Sequence, residues 1–225
     1  QKAILLGYKN YAEWSLQKSM AKTAETVMDF FEKWIPLTLE KVQKELETLK
    51  TIAQRDDIAP YNWDYYTEKV RKNQYDLDEN ELKPYFELFN VLEKGVFHAA
   101  TCLYGITFQR RTDLPVYHPD VVVYELFEAD GSPLGLYYGD FYTRESKRGG
   151  AWMSELVTPS KLFGQKPVIY NVCNYTPPTQ ALPCLLSYSE VETLFHEFGH
   201  ALHAFFAEQQ YATLAGTAVA RDFVE

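Results

Sequence analysis

A chain of 225 residues with 46% hydrophobic and 16% aromatic side chains can build one large domain or two small ones, and global disorder is excluded. The formal net charge of −9, with no long basic block, argues against nucleic-acid and anionic-membrane partners. Arg144, Lys147 and Arg148 form too small a basic patch to reverse that reading.

The N-terminal stretch QKAILLGYKN has no signal-peptide layout and does not begin with Met, so the chain reads as a processed or excised piece. No apolar run approaches the ~18 residues that cross a bilayer. Cys102, Cys173 and Cys184 do not make a disulfide framework. Three mostly buried free thiols in a reducing compartment are expected, with a Cys173–Cys184 bridge as the alternative.

Residues 1–56 carry apolar positions at three- and four-residue spacings and read as helix, with Thr23 starting a second helix and Pro36 kinking or restarting it. Pro60 breaks the pattern. NWDYYTEKVRKNQY and ENELKPYFELFNVLEKGVFHAATCLYG then read as two more helices, with Pro84 in the first turn of the second. Beyond TDLPVYHPD the character changes. VVVYELFEA and LGLYYGDFY flank an Asp130-Gly131 turn and predict a hairpin over 121–142. AWMSELV and KPVIYNVCN predict two further short strands, in which Tyr170, Asn171 and Asn174 are read as packing and loop hydrogen-bonding residues. A Pro-rich loop leads to YSEVETLFHEFGHALHAFFAEQQ, a helix expected to be capped by Ser189 with Glu192 three residues on. Helices, a small sheet and a helix in that order predict a mainly α (α+β) fold, with a helical region over 1–112 and an α+β region over 113–225.

The last helix carries HEFGHALH, residues 196–203. Residues four apart on a helix lie about 40° from alignment and about 6 Å along the axis. His196 and His200 therefore share one face and can share one ion, which is why H-E-x-x-H is a zinc pattern. Glu197 is displaced by about 100° from His196, where it can take a proton from water on the ion's open side. Two histidines and a glutamate set among Leu194, Phe195, Phe198, Ala201 and Leu202 are costly to bury without a partner. Gly199 in the middle of the helix suggests close approach by a strand or a ligand.

A catalytic zinc needs a third protein ligand and an open position. His203 lies about 10 Å along the axis from His196, too far to serve the same ion. A downstream carboxylate remains, and Glu208, Asp222 and Glu225 all follow the helix.

HEFGHALH, QQYATLAGT and RDFVE, with HPDVVVYELFEADGSPLGLYYGDFYTRESKRGGAWM upstream, resemble the thimet oligopeptidase/neurolysin family of zinc peptidases. PVIYNVCNY is most similar to the bacterial peptidyl-dipeptidase branch, and the resemblance covers most of residues 60–225. It implies a helical, neurolysin-like zinc peptidase with a small antiparallel or mixed sheet beside the H-E-x-x-H helix. It also implies one Zn²⁺ held by His196, His200 and Glu225, the glutamate of the F-V-E segment, with Glu197 as the catalytic residue. Asp222 is a candidate to hydrogen-bond a ligand. Substrate in such peptidases lies extended along a sheet edge, and Gly149-Gly150-Ala151-Trp152-Met153 resemble the segment near the cleft. The implied partners are short peptides bound by a monomer, with release of C-terminal dipeptides and endo-acting oligopeptidase activity as the alternative. The cytoplasm is the implied compartment, an exported form the alternative. Family members are several times longer and two-lobed, so the chain is expected to be a central fragment. On its own it is expected to bind metal without efficient turnover.

Overall fold

In the computed structural model, which describes residues 1–75 and 79–225, the chain divides into two compact units. One comprises Gln1–Asp78 with Ala220–Glu225, and the other Glu79–Val219.

The first unit is helical: α1 (Lys2–Leu5), α2 (Tyr11–Leu16), α3 (Ala24–Ala53) and α4 (Trp63–Tyr75). Caps define these helices. The Asn10 side chain accepts from Glu13 N–H at 3.0 Å, and that of Thr23 from Thr26 N–H at 3.2 Å. Gln54, in the left-handed region at φ 51°, ends α3. Pro36 does not restart the helix as its sequence position suggests; α3 runs through it for 30 residues. Among the described residues of α3 only Leu49 is buried. The short helix Arg221–Val224 also belongs here, and the Asp222 carboxylate accepts the Met20 and Ala21 N–H groups at 2.8 and 3.0 Å.

The second unit begins with broken helix where the sequence reading places one continuous segment. α5 (Glu79–Leu82) gives way to a 3-10 turn at Lys83–Tyr85, because Pro84 lacks the N–H an α-helix would use. Glu87 then caps α6 (Leu88–Asn90), accepting from Asn90 N–H at 2.8 Å. A π-helical stretch, Val91–Phe97, leads into α7 (His98–Tyr104), which ends at Gly105 with φ 75°.

Five strands follow: β1 (Thr107–Arg111), β2 (Val122–Phe127), β3 (Pro133–Tyr142), β4 (Trp152–Val157) and β5 (Val168–Tyr175). They form one mixed sheet in the order β1-β2-β3-β5-β4, with β3 and β5 parallel and the other pairs antiparallel. β2 and β3 make the expected hairpin, turning at Gly131 with φ 82°. β1 has no counterpart in the sequence reading; TFQRR is exposed along much of its length and lacks the apolar alternation that marks a strand. A mainly α fold of α+β type, with a small mixed sheet, is what the chain adopts.

The final long helix, α8 (Tyr188–Phe205), packs on β5 and β4. Its cap is Ser187, not Ser189. The Ser187 side chain accepts from Glu190 N–H at 3.2 Å, and the Glu190 carboxylate accepts from Ser187 N–H at 2.7 Å. SYSEVE holds two overlapping S-x-x-E boxes, and packing decides between them. With Ser187 as cap, the preceding Leu186 is buried and shares a core cluster with Val191. With Ser189 as cap, the preceding residue is Tyr188, which is exposed.

Candidate metal centre

Two side chains of β5 tie α8 to the sheet. Along this strand Ile169, Asn171, Cys173 and Tyr175 share the face that α8 covers, and all four are buried. Tyr175 donates its hydroxyl to the Glu190 carbonyl at 3.0 Å, and Asn171 donates its amide to the Glu197 carbonyl at 2.9 Å. Four strand residues span roughly 13 Å and seven helical residues roughly 10.5 Å, so the helix lies antiparallel along the strand. On its inner face α8 buries Leu194, Phe198, Ala201, Ala204 and Phe205. Phe198 sits among Phe97, Phe108 and Tyr137, with ring centroids 5.3–6.0 Å away. That aromatic cluster sets the depth and rotation of the helix.

With the inner face fixed, His196 and His200 point the other way. His196 is exposed and His200 half-buried, and their Nε2 atoms stand 2.9 Å apart with the rings perpendicular. Two nitrogens at a tetrahedral angle on bonds of about 2.0–2.1 Å to zinc are roughly 3.3 Å apart, so this imidazole pair fits a single ion after a small adjustment. The burial cost inferred from sequence does not apply to His196. It falls on Glu197 between the two histidines, which is only 6% exposed.

The remaining residues singled out by sequence separate cleanly. His203 lines a cavity of about 490 Å³ with Gly199, Leu202 and Phe206. Gly199 is not there to admit a strand, since a side chain at that position would meet nothing within 4 Å. Gly216, by contrast, must be small. Its φ is 56°, and a Cβ would lie 2.9 Å from the Glu155 carboxylate of β4 and 3.3 Å from Ala204 of α8. Glu225 follows the short helix Arg221–Val224 in the first unit, its N–H bonded to the Arg221 carbonyl. Asp222 is committed to the Met20 and Ala21 amides, which lower its pKa. Cys173 and Cys184 are buried thiols, and burial raises both pKa values, to about 12 and about 11; Cys102 is an exposed thiol.

Two members of the basic patch read from sequence, Arg144 and Lys147, belong to a part-buried ion cluster, while Arg148 is exposed. Arg144 makes a paired hydrogen bond to the Asp140 carboxylate at 2.7 and 2.8 Å. Lys147, its side chain 4% exposed, contacts the same carboxylate at 3.2 Å and donates to the carbonyls of Asp140, Tyr142 and Cys173. Tyr117 completes the cluster through its hydroxyl at 3.0 Å. Burial raises the Asp140 pKa, but the Arg144 and Lys147 hydrogen bonds outweigh it and the net shift is downward. One ammonium thus closes the ends of the parallel strands β3 and β5. The following loop is held by Asn174, whose amide donates to the carbonyls of Arg148 and Gly150, just before β4.

Sequence reasoning gave Asn171 no specific part. The available signal was parity: an amide on the same face as Ile169, Cys173 and Tyr175 lies in the core and needs a partner.

The whole chain, residues 1–225, matches Peptidase family M3. It is 49% identical over its full length to the dipeptidyl carboxypeptidase of Escherichia coli K12, and 48% identical over 99% of its length to that of Salmonella typhimurium. Oligopeptidase A of E. coli K12 is 38% identical over 95% of the chain. The chain spans 34%, 33% and 32% of these three relatives, about a third of each. No helix among the described residues is long and apolar enough to cross a membrane. With the match running from first residue to last and the relatives bearing peptidase names, the chain belongs to peptidase family M3, a family of metallopeptidases.

Proposed function

We propose that this chain carries the metal-binding part of a zinc peptidase that acts on short peptides and releases C-terminal dipeptides. The observation that carries the reading is the convergence of the His196 and His200 Nε2 atoms, 2.9 Å apart, on a helix that buries Glu197 between them in sequence. Zn²⁺ is the proposed ion, with His196, His200 and Glu225 as its protein ligands; the resemblance of RDFVE to the family's F-V-E segment supports Glu225. A zinc ion in that place supplies the Lewis acidity that makes water a nucleophile near neutral pH. Glu197 takes a proton from the attacking water and delivers it to the departing amine. Identity of 49% to a dipeptidyl carboxypeptidase against 38% to an oligopeptidase A favours dipeptide release over endo-cleavage. We place the protein in the cytoplasm as a monomer; three free thiols are compatible with a reducing compartment.

The test pairs metal analysis of this chain with dipeptide release from an N-blocked tripeptide by the full-length protein. Zinc loading should confer activity and a chelator should remove it. Glu197→Gln should retain zinc while kcat falls by about 10²–10⁴, and His196→Ala should lose both zinc and activity. This chain alone is expected to turn over poorly, so a zinc-loaded full-length protein that cleaves no peptide would overturn the reading. Cleavage of a C-terminally amidated peptide as fast as the free acid would favour the endo-acting oligopeptidase.

A further inference from the structure

We infer that Asn171 is a positioning residue for Glu197, holding the proposed general base at a fixed place against β5 and, through β5, against the edge strand β4. The inference rests on the zinc-peptidase reading. Its basis is the hydrogen bond from the Asn171 amide to the Glu197 carbonyl at 2.9 Å, formed where both residues are buried.

Three features separate this contact from ordinary packing. A carbonyl inside a helix already accepts the N–H four residues on, so Glu197 does not need Asn171 for satisfaction. The other end of the amide gains little, because Asn171 Oδ1 is buried with no hydrogen-bond partner among the described residues. Stability alone would favour an apolar residue of the same size. Finally, the bond connects the elements whose relative placement matters. Asn171 is paired in register with Met153 of β4, and β4 is an edge of the sheet, bonded among the described strands to β5 alone. Under the peptidase reading an extended substrate runs along that edge, so Asn171 fixes the distance between the proton acceptor and the peptide. A shift of about 1 Å in such a distance costs about 10²-fold in rate.

The residue therefore trades stability for position, and that split is measurable. In zinc-loaded Asn171→Leu, Tm should be unchanged or higher and zinc affinity by chelator competition should stay within about threefold. kcat should fall at least about tenfold at constant KM, the pattern of a lost transition-state contact. Asn171→Asp, which keeps the shape but replaces the donor by an acceptor, should lose kcat by a similar factor. Independently of any substrate, amide hydrogen exchange across residues 194–201 should quicken at least about fivefold in Asn171→Leu. Wild-type kcat in Asn171→Leu would overturn the inference. So would a kcat loss that merely tracks a fall in Tm or in zinc affinity, or a failure of both variants to fold, since each makes Asn171 a structural residue. These kinetics are read in the full-length protein; if its wild type cleaves no peptide, the peptidase reading fails, and unchanged exchange at 194–201 then overturns the positioning role separately.

Discussion

Helices α3 and α8 have similar apolar periodicity and opposite fates. α8 buries Leu194, Phe198, Ala201 and Phe205 against a sheet, and every fixed feature of the histidine pair follows from that contact. α3 is longer, yet Phe30, Trp34 and Ile35 are 58%, 48% and 50% exposed and Leu49 alone is buried among its described residues. Periodicity identifies a helix with an apolar face; it does not say that anything covers the face. Over its N-terminal and middle turns α3 is held locally, by the Thr23 cap and pairs such as Glu40–Lys44, while its C-terminal turns pack on α4. What holds α8 is tertiary, and this makes it fit to position chemistry.

Substitutions should separate these two kinds of order, and the largest effect should come from the buried ion cluster behind the sheet. Asp140→Asn strips the charge that compensates Lys147, whose side chain is 4% exposed. Breaking a buried pair in this way costs about 3–5 kcal/mol, to be read by chemical denaturation. The same substitution tests the pH dependence. The Asp140 pKa is lowered in the folded state, so its contribution is present above the ordinary carboxylate range and lost as pH falls through the folded pKa. Wild-type protein should lose stability over that acid window, and Asp140→Asn should flatten the loss.

Phe198→Ala on α8 should cost about 3–5 kcal/mol by emptying the aromatic cluster. The matching change on α3, Phe30→Ala, should stay within about 0.5 kcal/mol. Equal losses at the two positions would erase the distinction between the helices.

The parts of the site legible in the sequence were those set by local geometry. H-E-x-x-H is readable because four residues make just over one helical turn, and metal chemistry requires histidines on one face. The hairpin is readable because Asp-Gly turns and β-branched runs are local. Residues whose roles depend on distant partners were not readable in the same way. Lys147 looks like part of a solvated patch until β3 and β5 bring three carbonyls and Asp140 around it. Asn171 looks like an ordinary packing or hydrogen-bonding residue of a short strand until the register of β5 and the antiparallel course of α8 place it under Glu197. The helix cap lies between these cases. SYSEVE offers two equivalent boxes locally, and only the burial of Leu186 chooses Ser187.

That choice gives a smaller test. Ser187→Ala should destabilise α8 by about 1 kcal/mol, and Ser189→Ala by much less. Smaller still is the effect expected on α3. Lys44 and Glu40 meet at 2.7 Å, but their side chains are 74% and 64% exposed. Glu lies four residues before Lys, the favourable order with respect to the helix dipole, so the attraction is genuine. Solvent weakens it, holding two long side chains in one geometry costs entropy, and alanine at position 44 regains helix propensity. Lys44→Ala should therefore shift Tm by less than about 2 °C at low salt and by nothing measurable at 1 M, where the screening length is about 3 Å. A larger, salt-resistant loss would mean that the exposed middle of α3 is held by more than its own surface, which would make it resemble α8.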